Sequence, residues 1–315
     1  MKGFFVITRT NEMHKHIESF TCLGNEEKHY IFEHRVTGGL PSAQALDEDI
    51  LKEVRGYSPD ICVYVGACSG RMPSADVFRD IKNSVCPTVA FISDAADEPW
   101  WSKVREFDQK RAFTVQVALD GGGDWPKADN HISALTPLDP SVFPNPIRPH
   151  KDRTAFFGFC GNPGAAHRHI PMGRMPFISQ MKTEGLHFRP RSPSNAEPRL
   201  DAKTYADAAN FMSNVCLMPN FSFTGSYMRH HVKGRAVEAG WAGCLLMELS
   251  QSPLKNWFTP GEDFLEFTTM EDAKAILERF KGKPSESQAF GERLRKKVET
   301  EHSPQAFWKR IIDKI

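Results

Sequence analysis

What this 315-residue chain lacks narrows its chemistry first. No run approaches the roughly 18–20 apolar residues that cross a bilayer, so no spanning segment is expected. The opening "MKGFFVITRT" carries a short apolar run that breaks at Thr8 and Arg9. That is too little for a signal-peptide core and reads as a first buried strand, which points to a cytoplasmic protein. Charge of one sign is missing too: Lys and Arg total 40 against 39 Asp and Glu, a net +1. So even a balance gives no broad electrostatic grip on nucleic acid or anionic lipid, although a local patch leaves peripheral membrane contact open. Seven cysteines stand scattered with no C-x-x-C pair. An odd count at irregular spacing suggests neither a disulfide framework nor a zinc site, and a reducing compartment is the simplest reading. There is no fixed-period repeat, no Walker lysine pattern and no clear D-x-D metal motif. "GFCGNPGAAHRH" does not fit the dinucleotide fingerprint G-x-G-x-x-G.

What is present is an alternation. "FFVITR", "HYIFEHRV", "PDICVYVG", "PTVAFISD" and "AFTVQVALD" are short apolar runs separated by polar or helix-compatible segments such as "ALDEDILKEVRGY" and "SADVFRDIKNSV". Runs apolar on both faces and rich in Val, Ile and Phe suit strands of a parallel sheet covered by helices. A proline-rich seam follows, with five prolines in thirteen residues from Pro137 to Pro149, and neither a helix nor a central strand runs through it. The pattern then restarts with "TAFFGFCG", "VCLMPN", "CLLMEL" and "DFLEFT". An amphipathic helix, "MEDAKAILERF", and a terminal one, "SPQAFWKRIIDKI", close the chain. The expected fold class is α/β, with two Rossmann-like domains facing across a cleft. Their borders are set at 1–149 and 150–315, the terminal helix belonging to the second.

The densest stretch is "KGRAVEAGWAGCLLMEL", Lys233 to Leu249. A helix from about Gly234 to Ala242 puts Val237, Gly240, Trp241 and Cys244 on one buried face and Arg235, Glu238 and Ala239 on another stripe. Lys233, Gly234 and Arg235 then stand at its N-terminal end. Unpaired amides and the helix dipole attract anions there, and cations run against the dipole unless an anionic ligand joins them. A diphosphate held by these cations, with Glu238 reaching sugar hydroxyls, accounts for the arrangement. The plainer alternative is a surface Arg–Glu pair at i, i+3, of the kind worth about 0.2–0.5 kcal/mol.

The same stretch, followed by "FTPGEDFLEFTTMEDAKAILERF", resembles the C-terminal half of GT-B glycosyltransferases, and most of all their CgeB-like (spore maturation protein type) group. The family carries K-G-R-x-x-E, a small-residue turn, an apolar strand with an acidic end, and F-x-P-G-x-D. "LTPLDPSVFPN" and "AFFGFCGNPGAAHR" are similar to its boundary strand and Gly-rich turn, although the usual boundary glycine is Leu138 here. The resemblance runs over roughly residues 57–300. It implies a nucleotide-diphosphate sugar as donor, Glu238 on the ribose, and Lys233 and Arg235 neutralising the leaving diphosphate without a metal or other cofactor. Gly161 and Arg168 would line the donor site from the Gly-rich turn. Ser222, Thr224, Gly225 and Ser226, in "NFSFTGSYMRHH", would wrap it with hydroxyls and amides. Many retaining relatives have a glutamate where this chain has His230, so stereochemistry does not transfer. His230 then stands as either a donor contact or a solvated loop residue.

Asp94, at the end of "PTVAFISD", is the candidate general base for an acceptor hydroxyl. Asp97, before Glu98 and Pro99, suits a helix cap better. Trp100 and Trp101 read either as a sugar-stacking pair or as packing against the sheet. The expected activity is transfer of a sugar to a hydroxyl on a glycan, lipid-linked precursor, protein or small molecule. A nucleotide-sugar epimerase on the same fold and a catalytically silent sugar- or nucleotide-binding scaffold are the alternatives.

Overall fold

The computed structural model describes residues 1–8, 10–33, 42–66, 72–93, 100–121, 129–161, 170–190, 202–223 and 229–315. The chain forms two compact units, Met1–Asp139 with Pro304–Ile315, and Pro140–Ser303. The division falls inside the proline-rich seam, some ten residues before the expected border, and the last helix joins the first unit rather than the second.

In the first unit, strands β1 (Lys2–Ile7), β2 (Glu26–Ile31), β3 (Ile61–Gly66), β4 (Thr88–Ile92), β5 (Val115–Ala118) and β6 (His131–Ser133) form one sheet in the order β2-β1-β3-β4-β5-β6. Every pairing is parallel. Side chains of a strand alternate between faces, and here both faces are core. Phe4, Val6, Cys62, Tyr64, Ala90 and Ile92 pack one way, against helices α2 (Ala43–Tyr57), α3 (Ala75–Ser84) and α4 (Trp100–Gln109). Phe5, Ile7, Val63, Val65, Val89 and Phe91 pack the other way, against α1 (Thr10–Thr21) and α10 (Pro304–Ile312). The odd and even positions of β1, β3 and β4 thus serve different cores, which is why these strands read as continuous apolar runs. Side-chain caps start two of the helices: Ser42 accepts from the Ala45 amide and Ser74 from the Val77 amide.

Trp308 draws α10 into this unit. It is 1% exposed, stands against Phe5, Phe20 and Phe91, and donates its Nε1–H to Ser19 Oγ at 3.2 Å. A buried tryptophan with its polar atom satisfied is a large packing contribution. "SPQAFWKRIIDKI" signals a helix correctly but does not say which sheet the helix will cover.

In the second unit, β7 (Ala155–Gly161), β8 (His187–Pro190), β9 (Val215–Asn220), β10 (Leu245–Leu249) and β11 (Phe264–Phe267) make a parallel sheet in the order β11-β10-β9-β7-β8. Phe157, Phe159, Leu217, Leu245, Met247 and Leu249 belong to one core with α5 (Arg174–Met181) and α8 (Met270–Phe280). Thr269 and Asp272 close a reciprocal capping box at the start of α8. The remaining helices are α6 (Ala202–Met212), α7 (Arg235–Ala242) and α9 (Pro284–Glu301). Helix α9 packs along α7: a Cβ on Gly240 would lie 2.5 Å from Val298. Only glycine at 240 lets the two helices come this close. The six described cysteines, Cys22, Cys62, Cys86, Cys160, Cys216 and Cys244, are free thiols. Among the described residues no helix is long and apolar enough to cross a membrane.

Candidate functional site

In a parallel sheet ligands collect outside the carboxyl ends of the strands, where the strand order reverses. In the second unit that point lies between β7 and β9, since β8 follows β7 on one side and β9 returns on the other. Gly161 ends β7 and Asn220 ends β9. Helix α7 connects β9 to the parallel neighbouring strand β10, so its N-terminal end belongs to the same carboxyl edge.

Helix α7 starts at Arg235 with Gly234 as its cap residue, which has helical backbone angles and no side-chain capping bond. The helix ends at Gly243, whose φ of 65° suits a residue without Cβ. All residues from Ala236 to Ala242 are buried. The second stripe is buried like the first: Glu238 and Ala239 are covered as fully as Val237 and Trp241, because α6, α9 and the sheet enclose the helix on several sides.

That burial changes the character of the Arg235–Glu238 pair. Arg235 Nη1 donates to Glu238 Oε2 at 2.5 Å, with side chains only 11% and 4% exposed. This is no surface pair. Nη1 also lies 3.4 Å from Met212 Sδ of α6. Nη2 would stand 3.5 Å from a Cβ placed on Gly161, and the Phe159 ring 2.9 Å from it. Glycine at 161 thus leaves room for the Phe159 ring, and the guanidinium lies within ordinary contact distance of the end of β7. Three of the expected donor residues, Gly161, Arg235 and Glu238, are brought together. Lys233 and Gly234 precede them, both half-buried, and the Lys233 carbonyl accepts from the Ala236 amide at 3.0 Å.

Ser222 and His230 form a second small group. The two residues are joined by Ser222 Oγ and His230 Nδ1 at 2.7 Å. The backbone closes the group, with the His231 amide donating to the Ser222 carbonyl at 2.8 Å and an antiparallel bridge between Phe223 and His230. Burial, and then the neighbouring His231, lower the pKa of His230, which favours the neutral imidazole. His230 is therefore half-buried and hydrogen-bonded to Ser222. Asp94, Arg168, Thr224, Gly225 and Ser226 lie outside the described residues, as does Asp97. Trp100 and Trp101 open α4, and their side chains lie outside as well.

One residue of this edge was given no role by sequence. Glu248, on β10, is 0% exposed. It stands on the same rung as Asn220, whose Nδ2 donates to Oε2 at 2.6 Å. Burial pushes its pKa up to about 8, against the opposing influence of Asn220, the Leu249 amide, Ser252 and the charge of Lys233. The available signal was a glutamate inside "CLLMEL", an otherwise apolar strand where a buried carboxyl is costly unless its surroundings satisfy it. Among the described residues no group of His, Cys, Asp or Glu is arranged to hold a metal ion.

Two parallel α/β units with a terminal helix returning to the first are the architecture of the GT-B glycosyltransferase structures, and the fold here is GT-B. Within it, residues 175–313 match the family model described as glycosyl transferase-like. This range contains Lys233, Arg235, Glu238 and Glu248 but not Gly161. Among solved structures, the Anabaena protein HepE in complex with UDP superposes with a TM-score of 0.62 over 99% of both chains at 8% identity. A glycosyltransferase from Rickettsia africae gives 0.63 over 99% of this chain and 97% of its own, at 9% identity. The UDP-GlcNAc 2-epimerase from Neisseria meningitidis, bound to UDP-GlcNAc, gives 0.55 over 100% and 99%, at 10% identity. No curated protein matches the chain by sequence.

Proposed function

We propose that the protein transfers a sugar from a nucleotide-diphosphate donor to a hydroxyl acceptor, and that it belongs with the CgeB-like glycosyltransferases. The observation that carries this is the buried Arg235–Glu238 pair beside Gly161, at the switch point of a glycosyl transferase-like domain. Burying an ion pair often returns no net stability, so its retention at a ligand-binding edge asks for another reason. A nucleotide-sugar supplies one. Glu238 holds Nη1 and turns the Nη2 side of the guanidinium toward Gly161, the edge offered to the diphosphate. Glu238 also keeps acceptor capacity for a ribose hydroxyl.

As the bond between the sugar and the diphosphate breaks, negative charge gathers on the leaving phosphate. Lys233 and Arg235 stabilise that charge where it develops, in a site from which water is largely excluded. An acceptor hydroxyl attacks the sugar carbon and gives up its proton to a general base, the role assigned to Asp94. In this reading the chain's own cations do the charge neutralisation, so activity survives a chelator.

The test is a thermal-shift panel of nucleoside diphosphates and their sugars on the wild type and Lys233→Ala, a half-exposed position whose loss spares the buried pair, followed by incubation of the binding sugar donor with and without acceptor. A ligand at about 100 times its Kd raises stability by about 2.7 kcal/mol. One diphosphate raising the midpoint, with the effect cut in Lys233→Ala and the sugar then released only when an acceptor is added, supports the transferase. The fold match to a UDP-GlcNAc 2-epimerase keeps epimerisation as a second reading. Conversion of donor without acceptor would select it. A flat panel on folded protein refutes both readings and favours a silent scaffold.

A further inference from the structure

Ser222 is 0% exposed and stands two residues past the end of β9, at the switch point of the second sheet. Its carbonyl accepts from the His231 amide at 2.8 Å, and Phe223 forms a backbone bridge with His230, so the two segments are joined before any side chain is considered. On that frame Ser222 Oγ meets His230 Nδ1 at 2.7 Å, and the Phe223 ring lies 4.8 Å from the imidazole, tilted by 40°. One ring nitrogen and one ring contact are thereby engaged. Nε2, at the tip of the same half-buried ring, has no hydrogen-bond partner among the described residues. The charged and titratable groups that share this edge have partners of their own. Arg235 and Glu238 pair with each other, and Arg229, His231 and Lys233 each hold further contacts. Glu248, near the end of β10, is wholly enclosed. Burial, and then His231, hold the pKa of His230 below its ordinary value, so the ring is largely neutral at neutral pH.

A hydrogen bond to one imidazole nitrogen orients the ring and sets the task of the other. A serine hydroxyl suits both states of the ring, since it donates to a bare Nδ1 and accepts from a protonated one. We infer that His230 binds the donor diphosphate through Nε2 and takes up a proton as it does so, and that Ser222 is its positioning residue. This rests on the donor-site reading above and adds to it two residues and a dependence on pH. The protonated ring donates a charge-assisted hydrogen bond to a phosphate oxygen, stronger than the one a neutral ring offers. The proton comes from the solvent and stays on the ring, and no covalent bond of the donor changes. A further positive charge just ahead of Lys233 and Arg235 is favourable only with an anion to share, so ligand and proton arrive together. Linkage fixes the sign. Without ligand the surroundings of His230 disfavour the imidazolium, and a phosphate at Nε2 favours it. Affinity therefore increases as pH falls through the histidine range, and a proton is absorbed on binding across that range.

The experiment is calorimetric titration of the full chain with UDP-glucose, UDP-GlcNAc, ADP-glucose, GDP-mannose and dTDP-glucose, from about pH 8 down to about pH 6, the range in which histidine titrates. Their diphosphates are esterified at both ends and keep one charge state throughout. Each titration is run in two buffers of different ionisation enthalpy, so that the difference in heat counts the protons absorbed. For the sugar nucleotide that binds, the wild type is expected to absorb a fraction of a proton and to bind several-fold tighter at about pH 6 than at about pH 8, within the limit of tenfold per pH unit for one linked proton. His230→Gln loses both the absorbed proton and the gain at low pH. Ser222→Ala leaves the ring without its orienting hydroxyl and weakens binding most at the low end, a pH-dependent loss that a merely structural role would not produce. A loss equal at every pH in Ser222→Ala refutes its positioning role. Unchanged proton uptake in His230→Gln overturns the inference while leaving the donor site standing. So does a wild type that binds a sugar nucleotide and absorbs no proton at any pH, a result that needs no variant to fold. If none of the five binds the wild type, the donor-site reading falls and this inference with it.

Discussion

Replace Arg235 by Met and Glu238 by Leu, singly and together, and the buried pair can be weighed. With side chains 11% and 4% exposed, neither partner can recover its lost interaction by turning into water. Arg235→Met takes from the Glu238 carboxylate the guanidinium that donates to it. Glu238→Leu leaves a guanidinium over the end of β7. Breaking one side of a buried pair costs about 3–5 kcal/mol, whereas replacing both sides with apolar groups of similar volume is often neutral. Each single variant is therefore expected to lose about 3 kcal/mol, and the double variant to stay within about 1 kcal/mol of the wild type. For a unit of this size each kcal/mol moves the midpoint by about 2–4 °C, so the single variants fall by about 6–12 °C.

Scanning calorimetry is the suitable assay, since two compact units need not melt in one transition. The coupling energy comes from the cycle and not from either single variant. Single losses below about 1 kcal/mol that simply add in the double variant would refute the reasoning. They would return the pair to the class of exposed i, i+3 contacts. The informative result is a double variant as stable as the wild type that has lost its diphosphate-induced shift. The pair would then be dispensable to the fold and present for the ligand.

Two further outcomes follow from the same packing. Gly291→Ala puts a Cβ far inside contact distance of the Gly243 carbonyl, where α9 crosses the end of α7. Gly243 holds a left-handed turn and cannot retreat, so the expected net loss is about 1–3 kcal/mol despite a gain of about 1 kcal/mol in helix propensity; a stabilised variant on urea denaturation counts against it. Glu248→Gln also alters stability against pH. A carboxyl raised by burial to about 8 when folded gives a stability that is fully present below its unfolded value of 4.5. That stability is lost as pH rises to the folded value, by up to about 1.4 kcal/mol per pH unit. Between about pH 5 and pH 8 the wild type should weaken relative to Glu248→Gln, and parallel urea midpoints for the two proteins across that range would contradict the raised value.

The features legible in the sequence were those whose cause is local. Runs such as "ICVYVG" and "LLMEL" declare buried parallel strands because both faces are apolar, and "TTMED" declares the capped start of α8. The K-G-R-x-x-E spacing placed Arg235 and Glu238 one turn apart whatever surrounded them. What escaped depended on contacts distant in the chain. Helix α9 offers a broken apolar pattern, and its glycine at 291 makes sense only against the Gly243 carbonyl. The unit that α10 joins is decided by Trp308 finding Phe5, Phe20 and Phe91, nearly the whole chain away. Strand β8, His187–Pro190, has no apolar run to announce it, because an edge strand needs only one good neighbour, and β7 supplies it.

Glu248 shows the limit most sharply. In a half-exposed strand an isolated glutamate reports an outward face, by alternation of apolar and polar positions. In a strand covered on both sides that inference fails, since both faces are inside. The identity of the face then comes from the neighbours, which here are Asn220 on the next strand and Lys233 ahead of α7. A carboxyl placed there has its pKa raised to about 8 because burial outweighs the hydrogen-bond donors and the cation that oppose it. An apolar residue would fill the same volume with less penalty. What it could not do is accept from Asn220 and carry a proton whose loss costs stability as pH rises, and the urea midpoints of Glu248→Gln against pH measure that cost.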